Sequence, residues 1–487
     1  MTHENEEELD PKEQFLFTVA YLGEEFWRSM DALLEVATVA SPQIKKLDSD
    51  FLPSVMDPVF ERLTEEEFKK IGDAFKRYEK EIEEGRSPSP LNIMWEAVKD
   101  ESWGPAWMHH LHEALSRSPR LPMFLQSTIV SAVSNFEVLL AGLVSNFYEI
   151  APQALEASSR DKGKEFSLRE LKEMKSLEDA IKIAIDRRVE EFMFGSFGDW
   201  RKFFADKMKL DFEDYAIDWN FLQEVFQRRH VIVHNGGHAS RRYMQNVDAG
   251  LRKGVKEGDH LQVDEDYLNK ATNELLCFGY LLMSALALKF ATGHSSGVVS
   301  RVHDFAYQNL AKGRYELVEK CTSYGAEISS SMEDELLFRV NSWIARQRMG
   351  DKDVLREVND WGVAALSPRY VLAKHCLLGE KTEAMQVLRG LTASGDIDLD
   401  NLIEWPLLEP LRGTDEYQEL VRNAEVPEDW HFAEQVLFEN PKTAMLHTRR
   451  CGLVRADFKR RSIGQIDLTS ALLCKRCKPS TALGDVE

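Results

Sequence analysis

The sequence predicts an all-α protein. Nearly every amphipathic segment repeats its apolar side chains at steps of three or four residues, which is the period of an α-helix. No series of alternating apolar and polar residues indicates a β-sheet. With 487 residues the chain is long enough for about three domains, and 43% apolar residues exclude a disordered protein. We therefore expect a globular protein built from several helical parts.

The strongest helical patterns occur at 13–38, 65–84, 121–147 and 275–288. The longest uncharged stretches, 121–136 and 275–288, contain 16 and 14 residues. A membrane-spanning helix needs roughly 18 to 20 apolar residues, so these segments are predicted to be buried helices. The acidic N-terminus differs from a secretory signal, which is basic and then apolar. We expect a cytoplasmic protein without membrane contact.

The net charge of the chain limits the classes of function that the protein can have. The chain carries 61 Lys and Arg residues against 82 Asp and Glu residues, a net charge of −21. Such a balance argues against a protein that coats nucleic acid along its whole surface. Any contact with nucleic acid is therefore expected to be local.

Breaks rich in Pro, Gly and Ser divide the chain into four regions. These are an N-terminal helical region at 1–118, a helical bundle at 119–296, helical repeats at 297–426 and a basic C-terminal tail at 427–487. The first region contains no motif that indicates a chemical activity.

The third region shows a loose repeat. Gly313, Gly350 and Gly379 each follow a helical pattern and precede another, at intervals of 37 and 29 residues. These intervals lie around the ~34 residues of a tetratricopeptide unit, and the region resembles a degenerate tetratricopeptide array. The alternative is a set of helical hairpins that cap the bundle. Both interpretations predict contact with a protein partner, such as a regulator, and neither predicts catalysis.

The most informative segment lies at 227–237 in the helical bundle. On an ideal helix, Leu222, Phe226 and Val233 fall within about 40° of one another, with Arg229 in the same apolar stripe. A guanidinium cannot lose its proton to escape burial, so it needs a carboxylate or an anionic ligand. Arg229 is therefore a candidate functional residue.

Two histidines follow at the edge of the stripe. His230 and His234 fall at about 80° and 120° from Leu222, where an imidazole can contact both a pocket and solvent. Gly236 and Gly237 are expected to end the helix. In this segment Arg229 is followed by a polar residue, and His234 lies five positions after the arginine. This arrangement resembles the R-x4-6-H motif of HEPN domains, the higher eukaryotes and prokaryotes nucleotide-binding family. The long predicted helices on both sides of the motif agree with this resemblance.

The resemblance implies a metal-independent endoribonuclease that acts as a homodimer and leaves 2′,3′-cyclic phosphate ends. It assigns His234 as the general base or acid for attack of the ribose 2′-hydroxyl on the scissile phosphate. Arg229 would neutralise charge on the phosphorane oxygens, and His230 would hold a phosphate oxygen or the leaving oxygen. No cofactor is required for this chemistry, because RNA carries its own nucleophile.

The spacing gives a separate reason to expect two chains. On one ideal helix Arg229 and His234 diverge by about 140° and about 7.5 Å of rise. The two side chains of one copy are therefore poorly placed to contact the same phosphate, whereas Arg229 of one copy could lie near His234 of another.

Two alternatives remain for this segment. In the first, the bundle is inactive and Arg229 pairs with a buried acid such as Glu137 on the long apolar helix. In the second, His230, His234 and His238 bind zinc through their spacing of four residues. The two glycines interrupt that helical alignment.

The tail contains a different set of candidate metal ligands. His447 and Cys451 form one closely spaced pair, and Cys474 and Cys477 form another. Two such pairs can complete a tetrahedral zinc site, and the order resembles small zinc knuckles. Between residues 442 and 478 there are ten Lys or Arg residues and two Asp residues. We expect a structural zinc and RNA contact here, with reduced surface cysteines on a flexible tail as the alternative.

Taken together, the sequence predicts an RNase toxin or an antiviral, abortive-infection effector. The competing hypothesis is a non-enzymatic dimeric adaptor that binds protein partners through its helical repeats.

Overall fold

The computed structural model describes residues 10–61, 63–84, 89–115, 119–156, 166–210, 212, 215–424, 436–447, 454, 458–462, 466 and 472–475. The predicted helical class is confirmed: helices account for 73% of the described residues and strands for 3%. The chain divides into two compact units, one ending at Gly293 and the other beginning at His294.

Every helix or strand described in the first unit is a helix, and loops connect these helices. Its elements are α1 (Pro11–Phe60), α2 (Glu65–Glu83), α3 (Pro90–Val98), α4 (Gly104–Leu115), α5 (Arg120–Ile150), α6 (Gln153–Glu156), α7 (Leu168–Glu173), α8 (Leu177–Met193), α9 (Phe197–Asp206), α10 (Trp219–Asn235), α11 (Arg241–Asn246) and α12 (Glu265–Phe290).

Helices α1, α5, α10 and α12 meet at the side chain of Phe136 in α5. The ring centroid of Phe136 lies 5.9 Å from that of Phe26 in α1, 6.0 Å from Phe226 in α10 and 5.5 Å from Phe278 in α12. Phe136 is fully buried, and burying such a side chain stabilises the fold by about 1.5–3 kcal/mol. The next residue along α5, Glu137, is thereby fixed beside α10.

Helices α5 and α12 are the two described helices long and apolar enough to cross a membrane by length and composition. Within the apolar 18-residue segment of α12, 83% is buried inside the protein, and in the corresponding segment of α5 the share is 50%. Burial against other helices accounts for the apolar character of α12.

The second unit begins with paired helices and ends in a small sheet. Its elements are α13 (Ser295–Ala311), α14 (Tyr315–Ile328), α15 (Met332–Arg348), α16 (Asp353–Asp360), α17 (Pro368–Leu378), α18 (Lys381–Ala393), α19 (Leu399–Glu404), a 3-10 helix (Pro406–Leu411), α20 (Asp415–Asn423), β1 (Val436–Glu439), β2 (Leu446–His447) and β3 (Lys459–Ser462).

The three predicted glycine turns are confirmed. Gly313, Gly350 and Gly379 lie between α13 and α14, α15 and α16, and α17 and α18, with φ angles of 76°, 87° and 76°. A left-handed backbone angle favours glycine because the residue has no Cβ. Each glycine therefore ends one helix and lets the chain start the next.

The tail differs from the all-helical prediction. Its described part forms an antiparallel sheet in the order β2-β1-β3, in which Phe438 pairs with His447 on one side and with Arg460 on the other. These strands contain two to four residues. Such short strands do not produce a detectable alternation of apolar and polar residues.

The close approach of α12 to α1 and α5 yields a stability prediction. A Cβ at Gly279 would lie 2.7 Å from Phe26 Cε1 and 3.0 Å from Leu139 Cδ2, both buried. Because these neighbours have little room to move, Gly279→Ala should lower the free energy of unfolding by about 1–3 kcal/mol. Urea unfolding followed by circular dichroism would measure this change.

The control is Gly72→Ala in α2, where a Cβ would meet no atom within 4 Å. That substitution should raise stability by up to about 1 kcal/mol through helix propensity alone. Equal stability of Gly279→Ala and the wild type would contradict the proposed close packing.

Candidate functional site

The motif helix α10 has well-defined ends. The side chain of Asp218 accepts a hydrogen bond from the backbone N–H of Phe221 at 2.9 Å and caps the start of the helix. Gly236 adopts a left-handed conformation with φ 58° directly after the last helical residue, Asn235. The prediction that the glycines stop the helix is confirmed. His230 and His234 thus lie in its last two turns.

The apolar stripe of α10 is buried in its first half only. Leu222, Val225 and Phe226 are buried, whereas Val233 is 48% exposed. The expectation that Val233 lies in the buried stripe is therefore wrong, because α10 leaves the core before its last turn. Arg229 lies at this transition, and its side chain is 28% exposed.

Arg229 pairs with the acid named in the alternative interpretation. Its Nη2 donates to Glu137 Oε2 at 3.0 Å, and the Nε atom of Arg229 is buried without a hydrogen-bond partner among the described residues. Burial raises the pKa of Glu137, and the charge of Arg229 opposes that rise. The guanidinium therefore has unused donor capacity beside a carboxylate that is poorly solvated.

The neighbouring arginine, Arg228, has a different environment. Its Nε donates to Glu224 Oε1 at 2.7 Å, and the hydroxyls of Tyr243 and Tyr267 donate to the two oxygens of the same carboxylate at 2.7 Å each. Arg228 also donates to the backbone oxygen of Gln262. Burial and the charge of Glu224 raise the pKa of Tyr267 well above its ordinary value, so its hydroxyl remains a donor.

This network was missed in the sequence analysis. Glu224 is only 2% exposed, and it lies four residues before Arg228, the spacing at which helical side chains pair. That spacing was the available signal for the ion pair. The tyrosines come from α11 and α12, and no local pattern links them to Glu224.

His230 and His234 lie side by side. Their ring centroids are 4.7 Å apart and their planes are inclined by 49°. Burial lowers the pKa of His230, and the positive charges of His234, Arg242 and Arg229 lower it further. The neutral imidazole of His230 is therefore favoured. His234 is exposed to solvent.

His238 does not join this pair along one helix face, as the zinc alternative requires, because α10 ends at Asn235. Instead its ring contacts that of His260 at a centroid distance of 5.1 Å, and its Nδ1 lies 3.0 Å from the backbone oxygen of Gly258. Across the described residues, no group of three His, Cys, Asp or Glu side chains has an arrangement that could hold a metal ion.

In the tail, the structure describes two of the four predicted zinc ligands. His447 and Cys474 are 2% and 3% exposed. The backbone N–H of Cys474 donates to Leu446 O at 3.0 Å, which places Cys474 next to the strand that carries His447. Cys451 and Cys477 lie outside the described residues. One ligand candidate from each closely spaced pair is thus brought to the same edge of the sheet.

Comparison of the chain with protein-family models, curated proteins and solved structures gave no match. The functional assignment therefore depends on the residues and geometry described above.

Proposed function

We propose that the chain is a metal-independent endoribonuclease of the HEPN type. The observation that carries this proposal is the pair of imidazoles of His230 and His234, 4.7 Å apart, on a helix that also bears Arg229. Cleavage of RNA by its own 2′-hydroxyl needs one group to accept a proton, another to donate one, and a cation near the phosphate. These three residues have the required chemical types.

The resemblance gives His230 the role of holding an oxygen. Because its lowered pKa favours the neutral imidazole, we propose instead that His230 is the base and His234 the acid. In the proposed reaction His230 takes the proton of the ribose 2′-hydroxyl while its oxygen forms a bond to phosphorus. The bond between phosphorus and the 5′ oxygen breaks, and His234 protonates that oxygen. Arg229 stabilises the negative charge on the phosphorane. The products are a 2′,3′-cyclic phosphate and a free 5′-hydroxyl.

The proposed active form is a homodimer. Val233 and Val138, which flank the Arg229–Glu137 pair along their own helices, are 48% and 68% exposed. Exposed aliphatic side chains beside a motif of this kind can supply a contact between copies. Such a contact would bring Arg229 of one copy toward His234 of the other.

The remaining regions have proposed supporting roles. The paired helices α13 to α18 form a tetratricopeptide-like surface that binds a protein regulator. The basic tail holds a structural zinc and contacts RNA. In this proposal the protein acts in the cytoplasm as a toxin or as an antiviral, abortive-infection effector; this last step is an analogy with other proteins that carry the motif.

A non-enzymatic adaptor is the second candidate. The observation that favours it is the ion pair between Arg229 and Glu137, because a guanidinium already paired with an acid needs no phosphate. In this case the bundle dimerises and the paired helices bind a protein partner.

Cleavage of RNA in excess EDTA distinguishes the two functions. We expect the full-length wild type to cut single-stranded RNA in EDTA and to leave 2′,3′-cyclic phosphate ends. His230→Ala or His234→Ala should lower the rate about 10²–10⁴-fold through loss of proton transfer. Arg229→Ala should lower it about 10²–10³-fold through loss of charge stabilisation. Gel assays with mapping of product ends would measure these rates.

The matched control is His109→Ala, which removes an exposed histidine of α4 in the same unit and should leave the rate unchanged. RNA that is equally stable with the wild type and with all three motif variants would refute the nuclease and favour the adaptor.

The proposed base predicts a pH dependence. Because the pKa of His230 lies below its ordinary value of about 6.5, the residue is neutral above that lowered pKa, and the acidic limb of the rate profile should lie below pH 6.5. Arg242→Gln removes one of the charges that lower this pKa, so the acidic limb of kcat/KM should move to higher pH. Rate measurements between about pH 5 and 8 would test this.

Arg241→Gln is the control, since Arg241 is an exposed neighbour that does not contribute to the shift of His230. An unchanged acidic limb in Arg242→Gln, or the same displacement in both variants, would contradict the assignment of His230 as the base.

The proposed zinc in the tail predicts a metal content. We expect about one zinc per chain by elemental mass spectrometry, because two short-spaced ligand pairs complete one tetrahedron. His447→Ala and Cys474→Ser should each lose this metal. Cys376→Ser, which alters a buried cysteine of α17, should retain it. Wild-type protein purified without chelator and free of zinc would refute the site.

A further inference from the structure

A third histidine lies at the end of the motif helix. His260 belongs to the loop between α11 and α12, far from the motif in sequence. A Cβ at Gly237 would be only 2.8 Å from His260 Nε2. Gly237 is three residues after His234, so the ring of His260 covers the end of α10 directly beyond the motif.

The loop that carries His260 is fixed to the chain that follows α10. The N–H of Leu261 donates to Gly237 O, the N–H of Ala239 donates to Asp259 O, and the N–H of Gly258 donates to Ala239 O, each at 2.8 Å. Leu261 is buried in an apolar cluster with Val231 of α10. The backbone of His260 is therefore tied to the end of the motif helix.

The buried Glu224 network secures the same loop from the other side. Arg228, which is held by Glu224, donates to the backbone oxygen of Gln262. The side chain of Gln262 in turn contacts His260, with Nε2 3.2 Å from Nδ1 of the ring. Gln126 of α5 contacts the other ring nitrogen, Nε2, at 3.5 Å. The imidazole is thus held between two side-chain amides.

These three side chains match the needs of a site that reads an RNA base. His260 and Gln262 are exposed and Gln126 is partly exposed, so a ligand can reach them. Single-stranded RNA is recognised by stacking of unpaired bases on aromatic rings, including histidine, and by hydrogen bonds to base edges. Side-chain amides carry both a donor and an acceptor and suit those edges.

We propose that His260, with Gln126 and Gln262, binds one unpaired base of single-stranded RNA next to the scissile phosphate and determines base preference. The assignment rests on the proposed nuclease function for the position of the cut, but the binding of the base does not require cleavage. In this arrangement the base stacks on the His260 ring, and the two amides contact its edge. Arg228 and Glu224 act as positioning residues for the loop.

Binding is tested first, with full-length protein and fluorescent single-stranded oligonucleotides whose 2′-O-methyl groups prevent cleavage. Four oligonucleotides, each differing in one central base, are compared by fluorescence anisotropy. We expect the wild type to prefer one base. His260→Ala should weaken binding roughly tenfold, the contribution of one base–aromatic stack, and reduce the preference.

Two further variants separate stacking from folding. His260→Phe keeps an aromatic ring without ring nitrogens and should restore most of the affinity. Gln126→Ala with Gln262→Ala should retain affinity but lose base preference. His109→Ala is the control and should behave as the wild type. Thermal melting of each variant reports whether it has folded.

Cleavage forms the second readout. His260→Ala should still cut RNA, with a raised KM and a redistributed set of cut sites, whereas His234→Ala should cut about 10²–10⁴-fold more slowly at every site. If neither the wild type nor any variant cleaves RNA but His260→Ala loses base-dependent binding, the nuclease proposal is refuted and the base-binding proposal is supported. If His260→Ala binds all four oligonucleotides as the wild type does, or loses cleavage with unchanged binding, the proposal is overturned.

Discussion

The buried carboxylate of Glu224 connects the elements that form the candidate site. It accepts hydrogen bonds from Arg228 on its own helix, from Tyr243 of α11 and from Tyr267 of α12. An ionised group with 2% exposure costs several kcal/mol unless it is fully paired. The fold therefore requires α11 and α12 to remain against α10. The last two turns of α10, with the motif histidines, keep a fixed position as a result.

The two adjacent arginines have different environments because successive side chains on a helix point about 100° apart. Arg228 faces the interior, where Glu224 and the carbonyl oxygen of Gln262 use its donors. Arg229 faces α5, where it has one bond to Glu137 and a buried Nε that has no partner in the described part of the chain. Two guanidinium groups one residue apart on the same helix thus differ in how fully their donors are used.

Local patterns in the sequence predicted the features that local forces determine. The left-handed turns at Gly236, Gly313, Gly350 and Gly379 follow from the absence of a Cβ. The pairing of Arg229 with Glu137 was only the alternative interpretation, because it depends on a partner 92 residues away in the sequence. Other features depend on contacts between distant segments. His260 reaches the end of α10 only through the fold, and the exposure of Val233 depends on where neighbouring helices end. The short strands of the tail gave no periodic signal.

The ion pair between Arg229 and Glu137 bears on both proposed functions. The side chains of Arg229 and Glu137 are only 28% and 22% exposed, so a phosphate that displaced the carboxylate would leave Glu137 poorly solvated and without its partner. Burial already raises the pKa of Glu137, and a phosphate beside it would raise that pKa further. Protonation of Glu137 on RNA binding would then release Arg229. In an adaptor the ion pair would hold α5 against α10, but the paired imidazoles of His230 and His234 would have no role. The imidazole pair is therefore the feature that separates the two functions.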